Sequence, residues 1–449
     1  MARLSRSTAN LPAFPVRTVH LGLGAFHRAH QAWYAHAAGD ERGIAAFTGR
    51  RPDAAVPLAE QDGLYTLLVR GAGGDEAEII RSISAAHDGA DIAALTGYLA
   101  DPAVSVVTLT ITEAGYHRGP DGTIDRTAAA GDIEALRNGG TPGTAPGRLL
   151  AGLAARRNAD SGPIAVVPCD NLSGNGEATS AVLASLAEAV DPALAVWVKE
   201  TVSFVSTMVD RITPATTDED RATAGRLTGF QDHSPVVTEP FTEWLLADAF
   251  PGLRPTWDAA GARFVTDVTP FETRKLWLLN GAHSTLAYAG PTRGHRTVAE
   301  AVGDQVCRDW MDEWWDEAAR HLTIPAGEIS AYRAALLDRF ANPRIQHLLA
   351  QIAADGSQKL TFRIVPVVRA ERAAGRLPGG GVRALAAWLV HLRDGSAVRD
   401  PRAAELAGLI AGPLADAAPR TLAVLDSELA ADADLVAAVI DAAGELGWK

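Results

Sequence analysis

The stretch "TVHLGLGAFHRAH", residues 18–30, contains the pattern that decides the fold of the first half of the chain. A short β-branched and apolar run precedes Gly22-Leu23-Gly24, and a segment of helical character follows. This order is typical of the opening turn of a dinucleotide-binding domain, where Gly22 would form the tight bend and Gly24 would admit a pyrophosphate to the backbone. His27 replaces the third glycine of the usual G-x-G-x-x-G pattern. We therefore expect looser packing of helix on strand at His27.

Strands and helices alternate over the first part of the chain. The predicted strands are "RTVHLGLG", "GIAAFTGR", "VSVVTLTITEAGY" and "GPIAVVPCDNLSGNG", with helical segments between them. This alternation predicts a parallel sheet with crossover helices, an α/β fold of the doubly wound Rossmann type. From about Pro270 onward the sequence has helical periodicity. We therefore predict a Rossmann-type dinucleotide-binding domain over residues 1–270 and a mostly α-helical substrate and catalytic domain over residues 271–449.

The composition of the 449 residues excludes several classes of function. A formal net charge of −13 argues against a nucleic acid or an anionic membrane as partner. Cys169 and Cys307 are the only cysteines, which excludes a disulfide framework and a cysteine-based zinc site. No apolar run has the length of a membrane span, and the first residues lack the apolar core of a signal peptide. We expect a cytoplasmic protein, a monomer or a small homo-oligomer.

The end of the second predicted strand bears on the choice of cofactor. An acidic residue about 20 positions after the glycine turn would bind the ribose of NAD, whereas "FTGRRPD", residues 47–53, offers Arg50 and Arg51 first and Asp53 late. Arginines at this place suit the 2′-phosphate of NADP. We predict NAD as the cofactor, with NADP as the open alternative. The predicted cofactor contacts are Gly22, Gly24, Ala25, Phe26, His27, Arg50, Thr112 and Glu113.

Lysine is rare in this chain, and one lysine lies in a segment whose apolar residues predict that it is buried. Of the 41 basic residues only Lys199, Lys275, Lys359 and Lys449 are lysines. In "FETRKLWLLNGAHS", residues 271–284, a regular α-helix would place Glu272, Asn280 and His283 within about 140° of Lys275. A desolvated lysine can act as a general base near neutral pH, an amide can stabilise an oxyanion, and His283 can bind a further hydroxyl. The alternative is a helix with a snorkelling lysine and a capped histidine.

Two further stretches place polar groups beside predicted strands. In "PCDNLSGNG", residues 168–176, Asp170, Asn171 and Asn175 follow a strand, where doubly wound sheets bind ligands. In "FVSTMVDRITP", residues 204–214, Asp210 and Arg211 interrupt an apolar and hydroxylic segment, either at a ligand site or as an internal ion pair that orders a loop. We predict no metal site, because the histidines of the opening helix lack an accompanying carboxylate or cysteine pattern.

These stretches together resemble the polyol-specific long-chain dehydrogenase family of mannitol 2-dehydrogenase, which also includes fructuronate and tagaturonate reductases. The resemblance covers most of the chain and rests on "GLGAFHRAHQ", "QDGLYTLL", "LTITEAGY", "CDNLSGNG", "FVSTMVDRITP", "VVTEPFTEW", "KLWLLNGAHSTLAY" and "DGSQKL". It implies a metal-independent hydride transfer between a nicotinamide cofactor and a linear polyol or ketose. It also implies that the histidine in the glycine turn is a feature of the family.

The resemblance implies a role for each matching residue. Lys275 corresponds to the general base, Asn171 and Asn280 to the pair that stabilises the alkoxide, and His283 to a ligand of a substrate hydroxyl. Glu272 corresponds to the group that relays the proton to solvent. The resemblance also implies that Asp210 supports the pocket or its proton path. Trp277 stands where we expect a basic residue from the family motif. The identity of the substrate group bound near this position is therefore not settled by the resemblance.

Several substrates fit these motifs. The leading prediction is a polyol/ketose pair of the mannitol/fructose kind, and the predicted substrate-binding residues are Asp210, Arg211, Lys359 and Arg363. A ketouronate reductase is the alternative, because Lys359, Arg363 or Arg274 would supply a cation for a sugar carboxylate. A phosphorylated polyol fits for the same reason. A nicotinamide-binding sensor without catalysis is a further alternative from a different class.

Overall fold

The computed structural model describes residues 1–252, 254–345, 347–395 and 398–448. The chain divides into two compact units, Met1–Thr269 and Pro270–Lys449. The β-strands are β1 (Ala2–Arg3), β2 (Val16–Leu21), β3 (Gly43–Phe47), β4 (Tyr65–Gly71), β5 (Gly74–Ile80), β6 (Ile83–His87), β7 (Val106–Leu109), β8 (Ile164–Pro168), β9 (Val202–Phe204), β10 (Thr207–Asp210), β11 (Phe230–Gln231), β12 (Val236–Thr238), β13 (Glu243–Ala247) and β14 (Arg263–Val265).

Helices connect these strands and then form the rest of the chain. The α-helices of the first part are α1 (Arg6–Ala9), α2 (Ala25–Ala29), α3 (Gln31–Ala37), α4 (Ala55–Ala59), α5 (Ile92–Ala100), α6 (Ala130–Asn138), α7 (Ala145–Asn158), α8 (Asn175–Val190), α9 (Pro192–Thr201) and α10 (Asp218–Thr228). Those that follow are α11 (Thr269–Arg274), α12 (Ala282–Ala289), α13 (Val298–Gly303), α14 (Gln305–Ala319), α15 (Ala326–Phe340), α16 (Leu349–Ile352), α17 (Gly356–Arg363), α18 (Val365–Ala373), α19 (Gly379–Asp394), α20 (Ala403–Leu409), α21 (Leu414–Leu422), α22 (Ser427–Ala430) and α23 (Ala433–Glu445).

The main sheet of the first unit is parallel and has six strands. Its order is β6-β3-β2-β7-β8-β9. Numbered along the chain, this is the 3-2-1-4-5-6 order of a Rossmann fold, which reverses direction between β2 and β7. The predicted α/β fold class is confirmed, and the quoted glycine turn follows β2 at this reversal.

Both faces of this sheet are buried, as a parallel sheet requires. Ala45 and Phe47 of β3 pack under α5, α7 and α8, whereas Ile44 and Ala46 of the same strand face α3 and α4 on the other side. Side chains alternate between the two faces of a strand, so an uninterrupted apolar run fills both cores. This explains why the strands of the sheet appear in the sequence as continuous apolar segments.

Smaller sheets flank the main one within the first unit. Their orders are β12-β4-β5, β10-β13-β14 and β1-β11. In the second of them β10 pairs antiparallel with β13, and Asp210 is opposite Glu243. These additions account for the length of the unit beyond a minimal dinucleotide-binding fold.

The second unit is helical, as predicted. Every residue of α12 is buried, and this helix packs against α14, α16 and α19. The core around it includes the fully buried side chains of Leu286, Trp314 and Trp388. Among the described residues, no helix combines the length and the apolar composition needed to cross a membrane.

Candidate active site

The glycine turn after β2 is held by β7. Gly22 has a φ of +108°, and a Cβ there would lie 2.2 Å from the carbonyl oxygen of Thr110. The Thr110 hydroxyl donates to the Gly22 carbonyl at 2.8 Å. At Gly24 a Cβ would lie no closer than 3.6 Å to the protein. The fold itself therefore requires glycine at position 22 but not at position 24.

His27 packs closely against the sheet, so the expectation of looser packing is wrong. Its ring stacks on His20 of β2, with centroids 3.3 Å apart, and neither residue is exposed. The His20 ring is hydrogen-bonded to the hydroxyls of Thr108 and Thr110 at 2.8 and 3.0 Å. Burial lowers the pKa of His20 to about 3 and the pKa of His27 well below its ordinary value. In the structure the enclosed side chain of His27 is a packing group, and the contact of His27 with the cofactor stays a prediction.

The other predicted cofactor residues lie near the carboxyl ends of the parallel strands. Ala25 and Phe26 begin α2 and are partly exposed. Arg50 is exposed just after β3, and Thr112 and Glu113 are exposed just after β7. Parallel strands end at one edge of their sheet, so these positions flank the reversal of strand order between β2 and β7.

Asn171 follows β8 and lies beside a half-buried acid. Asn171 is exposed, and the preceding residue, Asp170, accepts hydrogen bonds from the Tyr116 hydroxyl and from the Leu172 N–H, the latter at 3.1 Å. Burial raises the pKa of Asp170 to about 6 and raises that of Tyr116 as well. This local network fixes the backbone on both sides of Asn171.

Arg211 connects separate segments of the first unit, and its role in substrate binding stays a prediction. The residue is buried, and its guanidinium donates to the carbonyl of Ala29 at 2.5 Å and to that of Glu239 at 3.2 and 3.3 Å. It also lies over the ring of Trp33, 4.8 Å from its centroid. Burial lowers its pKa to about 10. Its neighbour Asp210, the last residue of β10, is buried as well.

The helix that carries the candidate base is irregular, so the prediction of a continuous α-helix is wrong. Residues Lys275–Gly281 form a π-helical segment between α11 and α12. A π turn contains one residue more than an α turn, and the angular positions predicted for an α-helix do not apply. Lys275 and Asn280 of this segment are half-buried, as is Glu272 of the preceding α11.

Two indoles support the π-helical segment. Trp314 Nε1 donates to the carbonyl of Trp277 at 2.9 Å, and Trp315 Nε1 donates to that of Leu278 at 2.8 Å. Both tryptophans are buried on α14. A Cβ at Gly281 would lie 2.6 Å from Trp314 Nε1, so the close approach of α14 requires glycine there. The two N–H donors thus bind carbonyls within the irregular turn.

His283 is the second residue of α12, which directly follows the π-helical segment. Its buried Nε2 has no hydrogen-bond partner among the described residues. Its ring centroid is 4.6 Å from that of Phe340 and 4.8 Å from that of His347. Burial, followed by the charges of His347, Arg339 and Arg363, holds the pKa of His283 well below its ordinary value. A neutral imidazole with a nitrogen available for a hydrogen bond suits a substrate hydroxyl.

The predicted cations of α17 lie near the same helix. Arg363 Nη1 donates to the Ser284 hydroxyl at 3.2 Å. Lys359 is one turn earlier, where Nζ donates to the carbonyl of Ile352 at 3.4 Å and lies 3.8 Å from Asp355 Oδ2. Burial and the charge of Arg363 lower the pKa of Lys359. Arg274, the third cation considered, is buried against the ring of Tyr332, 3.9 Å from its centroid.

The described residues include a cluster with metal-ligating side chains, namely His295, Asp304 and Cys307. The Asp304 carboxylate already accepts hydrogen bonds from Arg293 Nε at 2.5 Å and His295 at 2.9 Å, and from the Val306 N–H at 3.0 Å. Its pKa is held below its usual range by Arg293 and His295. These contacts account for the cluster as an ion pair that caps α14.

Each unit thus contains a local group of candidate residues. The first has Asn171 after β8 and Asp210 at the end of β10, and the second has Lys275, Asn280 and His283 in succession, with Arg363 beside Ser284. Sequence reasoning missed Tyr116, although it belongs to the quoted "LTITEAGY". It also missed the support from Trp314 and Trp315, because helical periodicity marks them only as buried.

Comparison with known proteins gives matches along both units. A family model described as the mannitol dehydrogenase Rossmann domain matches residues 16–259, and one described as the mannitol dehydrogenase C-terminal domain matches residues 267–446. D-mannonate oxidoreductase of Escherichia coli (strain K12) is 38% identical over 374 residues, covering 79% of this chain and 75% of the relative. Mannitol 2-dehydrogenase of Cereibacter sphaeroides is 36% identical over 396 residues, covering 86% and 82%.

A solved structure extends the similarity to the fold. The Pseudomonas fluorescens mannitol 2-dehydrogenase, solved as a ternary complex with NAD and D-mannitol, has a TM-score of 0.81 and 33% identity. The match covers 99% of this chain and 96% of that one. Fold and sequence similarity therefore extend over nearly the whole length of both chains.

Proposed function

This chain belongs to the mannitol dehydrogenase family, and we propose that it is an NAD-dependent dehydrogenase of a linear polyol/ketose pair of the mannitol/fructose kind. The observation that carries the proposal is the succession of Lys275, Asn280 and the unpartnered Nε2 of His283 along one irregular helix. A base, an amide donor and a neutral imidazole are the groups that binding and deprotonation of a polyol require. We also propose that residues 1–270 bind the cofactor and residues 271–449 bind the substrate.

The glycine turn supports a dinucleotide as cofactor. Gly24 has no steric reason within the protein to be glycine, whereas the approach of a pyrophosphate to this backbone would supply one. When bound, the nicotinamide accepts or donates the hydride. Exposed Arg50 is the feature that would favour a 2′-phosphate, so the ratio of KM for NADH and NADPH decides between the two cofactors.

Proton transfer is assigned to residues of the second unit. Lys275 takes the proton of the alcohol, and Glu272, one helical turn before it, relays the proton to solvent. Lys275 is half-buried and belongs to the same π-helical segment as the buried Leu278 and Leu279. The family resemblance assigns Asn171 and Asn280 each as an amide donor to the developing alkoxide, a form of electrostatic stabilisation that needs no metal. Asp210 supports the pocket.

A ketouronate is the second candidate substrate, and the cations near His283 favour it. The charges of Arg339 and Arg363 lower the pKa of His283, and Lys359 lies one turn from Arg363. An arginine or lysine in this setting would bind a sugar carboxylate through charge-assisted hydrogen bonds. A phosphorylated polyol would use the same groups.

The absorbance of NADH at 340 nm tests this proposal. NADH and NADPH would be offered with fructose, fructose 6-phosphate, fructuronate, tagaturonate, xylulose and ribulose. Turnover on the neutral ketoses supports the polyol dehydrogenase, and preference for the uronates supports the second candidate. A protein that binds NADH and turns over none of these sugars contradicts both, and favours a sensor.

The cellular compartment and the oligomeric state of the protein are predicted from the sequence alone. We propose that the protein is cytoplasmic and that it is a monomer or a small homo-oligomer, and light scattering after gel filtration measures the latter. Buried, unpaired Cys169 and Cys307 are consistent with a reducing compartment.

A further inference from the structure

Asp170 and Asn175 belong to the stretch "PCDNLSGNG" but have no part in the chemistry proposed above. Asp170 Oδ1 accepts a hydrogen bond from the Leu172 N–H at 3.1 Å, which closes a turn across Asn171. Its other oxygen, Oδ2, accepts a hydrogen bond from the Tyr116 hydroxyl. Both carboxylate oxygens are therefore engaged, one by the neighbour of Asn171 and one by a different segment of the chain.

Tyr116 is a rigid support for this contact. It ends a 3-10 helix, Glu113–Tyr116, and its ring is buried in the core beside α7 and α8. The first residue of the same short helix, Glu113, is a predicted cofactor contact. A buried tyrosine hydroxyl needs a hydrogen-bond partner, and Asp170 supplies it.

Asn175 fixes the other side of the loop. It is fully buried, and its amide donates to the Thr207 carbonyl at 3.0 Å and accepts from the Thr207 N–H at 2.9 Å. The same amide donates to the Asp170 carbonyl at 3.4 Å. Thr207 begins β10 and its hydroxyl donates to the Pro168 carbonyl at 2.6 Å. The end of β8 and the start of β10 are thereby joined near Asn171.

We propose that Asp170, held by Tyr116, is a positioning residue that orients Asn171 for stabilisation of the alkoxide. The role rests on the proposed function, since it acts through the amide of Asn171. Loss of either hydrogen bond to Asp170 would leave the turn free to move, and a small displacement of an oxyanion donor has a large effect on rate.

A double-mutant cycle in kcat tests the role with NADH and the preferred ketose. Asn171→Ala lowers kcat about 100- to 1,000-fold, the usual effect of losing one oxyanion donor. Asp170→Ala lowers kcat about 10-fold or more, and Tyr116→Phe lowers kcat by a smaller factor. In both variants KM for NADH changes less than about 3-fold. Asp170→Asn, which keeps one oxygen for the Leu172 N–H, restores part of the loss. In the Asn171→Ala background Asp170→Ala has almost no further effect.

Tyr65→Phe is the matched control. Tyr65 is another buried tyrosine of the first unit, and its hydroxyl donates to the Arg28 carbonyl at 2.5 Å. This variant loses a comparable hydrogen bond and keeps its kcat. If Asp170→Ala fails to fold, Tyr116→Phe and Asp170→Asn carry the test.

The outcomes separate this role from the proposed function. An active wild-type enzyme whose Asp170 and Tyr116 variants keep full kcat overturns the positioning role alone. Equal losses in the presence and absence of the Asn171 side chain also overturn it, because they indicate a general structural effect. A wild-type protein without turnover on any of the sugars overturns the proposed function and this role together.

Discussion

The two regions with candidate catalytic residues hold them by different means. At the end of β8, side-chain hydrogen bonds from Tyr116 and Asn175 fix a loop around Asn171. In the second unit, two indoles bind carbonyls of the π-helical segment that carries Lys275 and Asn280. In both cases a buried neighbour sets the geometry. The first region depends on a carboxylate and the second on the path of the helix backbone.

The charges around the two regions also differ. Asn171 has the half-buried Asp170 next to it and the buried Tyr116 hydroxyl bound to that acid, whereas the surroundings of His283 contain Arg339, Arg363 and His347. The arginines make the second region the place to test for recognition of a negatively charged substrate end. Four predictions test this difference between the two regions.

The largest effect is expected from Lys275→Ala, because it removes the proposed base of the second region. A positioned general base contributes about 100- to 10,000-fold to the rate, so kcat for polyol oxidation falls by that factor while NADH binding, measured by fluorescence, is retained. Lys199→Ala on the exposed surface of α9 is the control. A near-normal rate of Lys275→Ala at neutral pH would refute the assignment.

Arg363→Gln tests whether the cations of the second region recognise a carboxylate. A charge-assisted hydrogen bond contributes about 1.5–3 kcal/mol, so KM for a ketouronate rises about 10- to 100-fold while KM for a neutral ketose changes little. The control is Arg369→Gln on α18, where the arginine is half-exposed and pairs with Asp426. Equal changes in KM for charged and neutral sugars would exclude Arg363 as the carboxylate ligand.

Trp314→Phe tests whether the backbone path of the second region matters for catalysis. It keeps a buried ring but removes the donor to the Trp277 carbonyl, which costs about 1–2 kcal/mol of stability. We expect kcat to fall about 10-fold, because Lys275 and Asn280 lie on the segment that loses its support. Trp310→Phe on the same helix is the control, since its ring faces Arg293 and Arg383. Unchanged kcat in a destabilised Trp314 variant would limit the indole to a structural role.

The smallest expected effects are changes in stability with pH, and the stabilities of the two regions change in opposite directions. Burial raises the pKa of Asp170 from 3.8 to about 6, so its contribution to stability is lost as pH rises through this range. The pKa of His283 lies well below 6.5, so its contribution is present above pH 6.5 and is lost on acidification. Hydrogen exchange at pH 7 and pH 5 measures both.

Substitutions separate the two contributions. Between pH 7 and pH 5, His283→Asn loses less stability in the second unit than wild type, by up to about 1.4 kcal/mol per pH unit. In wild type, acidification stabilises the first unit because Asp170 takes up a proton. Asp170→Asn cannot take up this proton, so its first unit does not gain this stability. Identical pH responses of wild type and both variants would contradict these assignments.

The sheet and its carboxyl edge could be predicted from the sequence. Apolar runs followed by polar residues mark where buried strands end, and parallel strands end at one edge, so Asn171 and Glu113 were placed without knowledge of the packing. The alternation of strands and helices predicts the parallel, doubly wound sheet, whereas the strand order 3-2-1-4-5-6 is known only from the structure.

The remainder could not be predicted because it depends on tertiary contacts. The π turn has no periodicity of its own in "KLWLLNG", and its support comes from indoles about 37 residues later in the chain. Arg211 appears polar in the sequence, yet its partners are the carbonyls of Ala29 and Glu239. The close packing of His27 depends on a ring stack with His20, which the sequence pattern does not indicate.

The central claim is direct hydride transfer between a nicotinamide and a sugar carbon. NADH carrying deuterium at C4 of the nicotinamide on the transferred side, supplied with the preferred ketose in ordinary water, tests it by NMR of the product. Our account predicts one deuterium on the carbon that was the carbonyl. The converse experiment, unlabelled NADH in deuterated water, is predicted to leave that carbon without deuterium. Product labelled from water, or NADH oxidised without labelled product, would contradict the account.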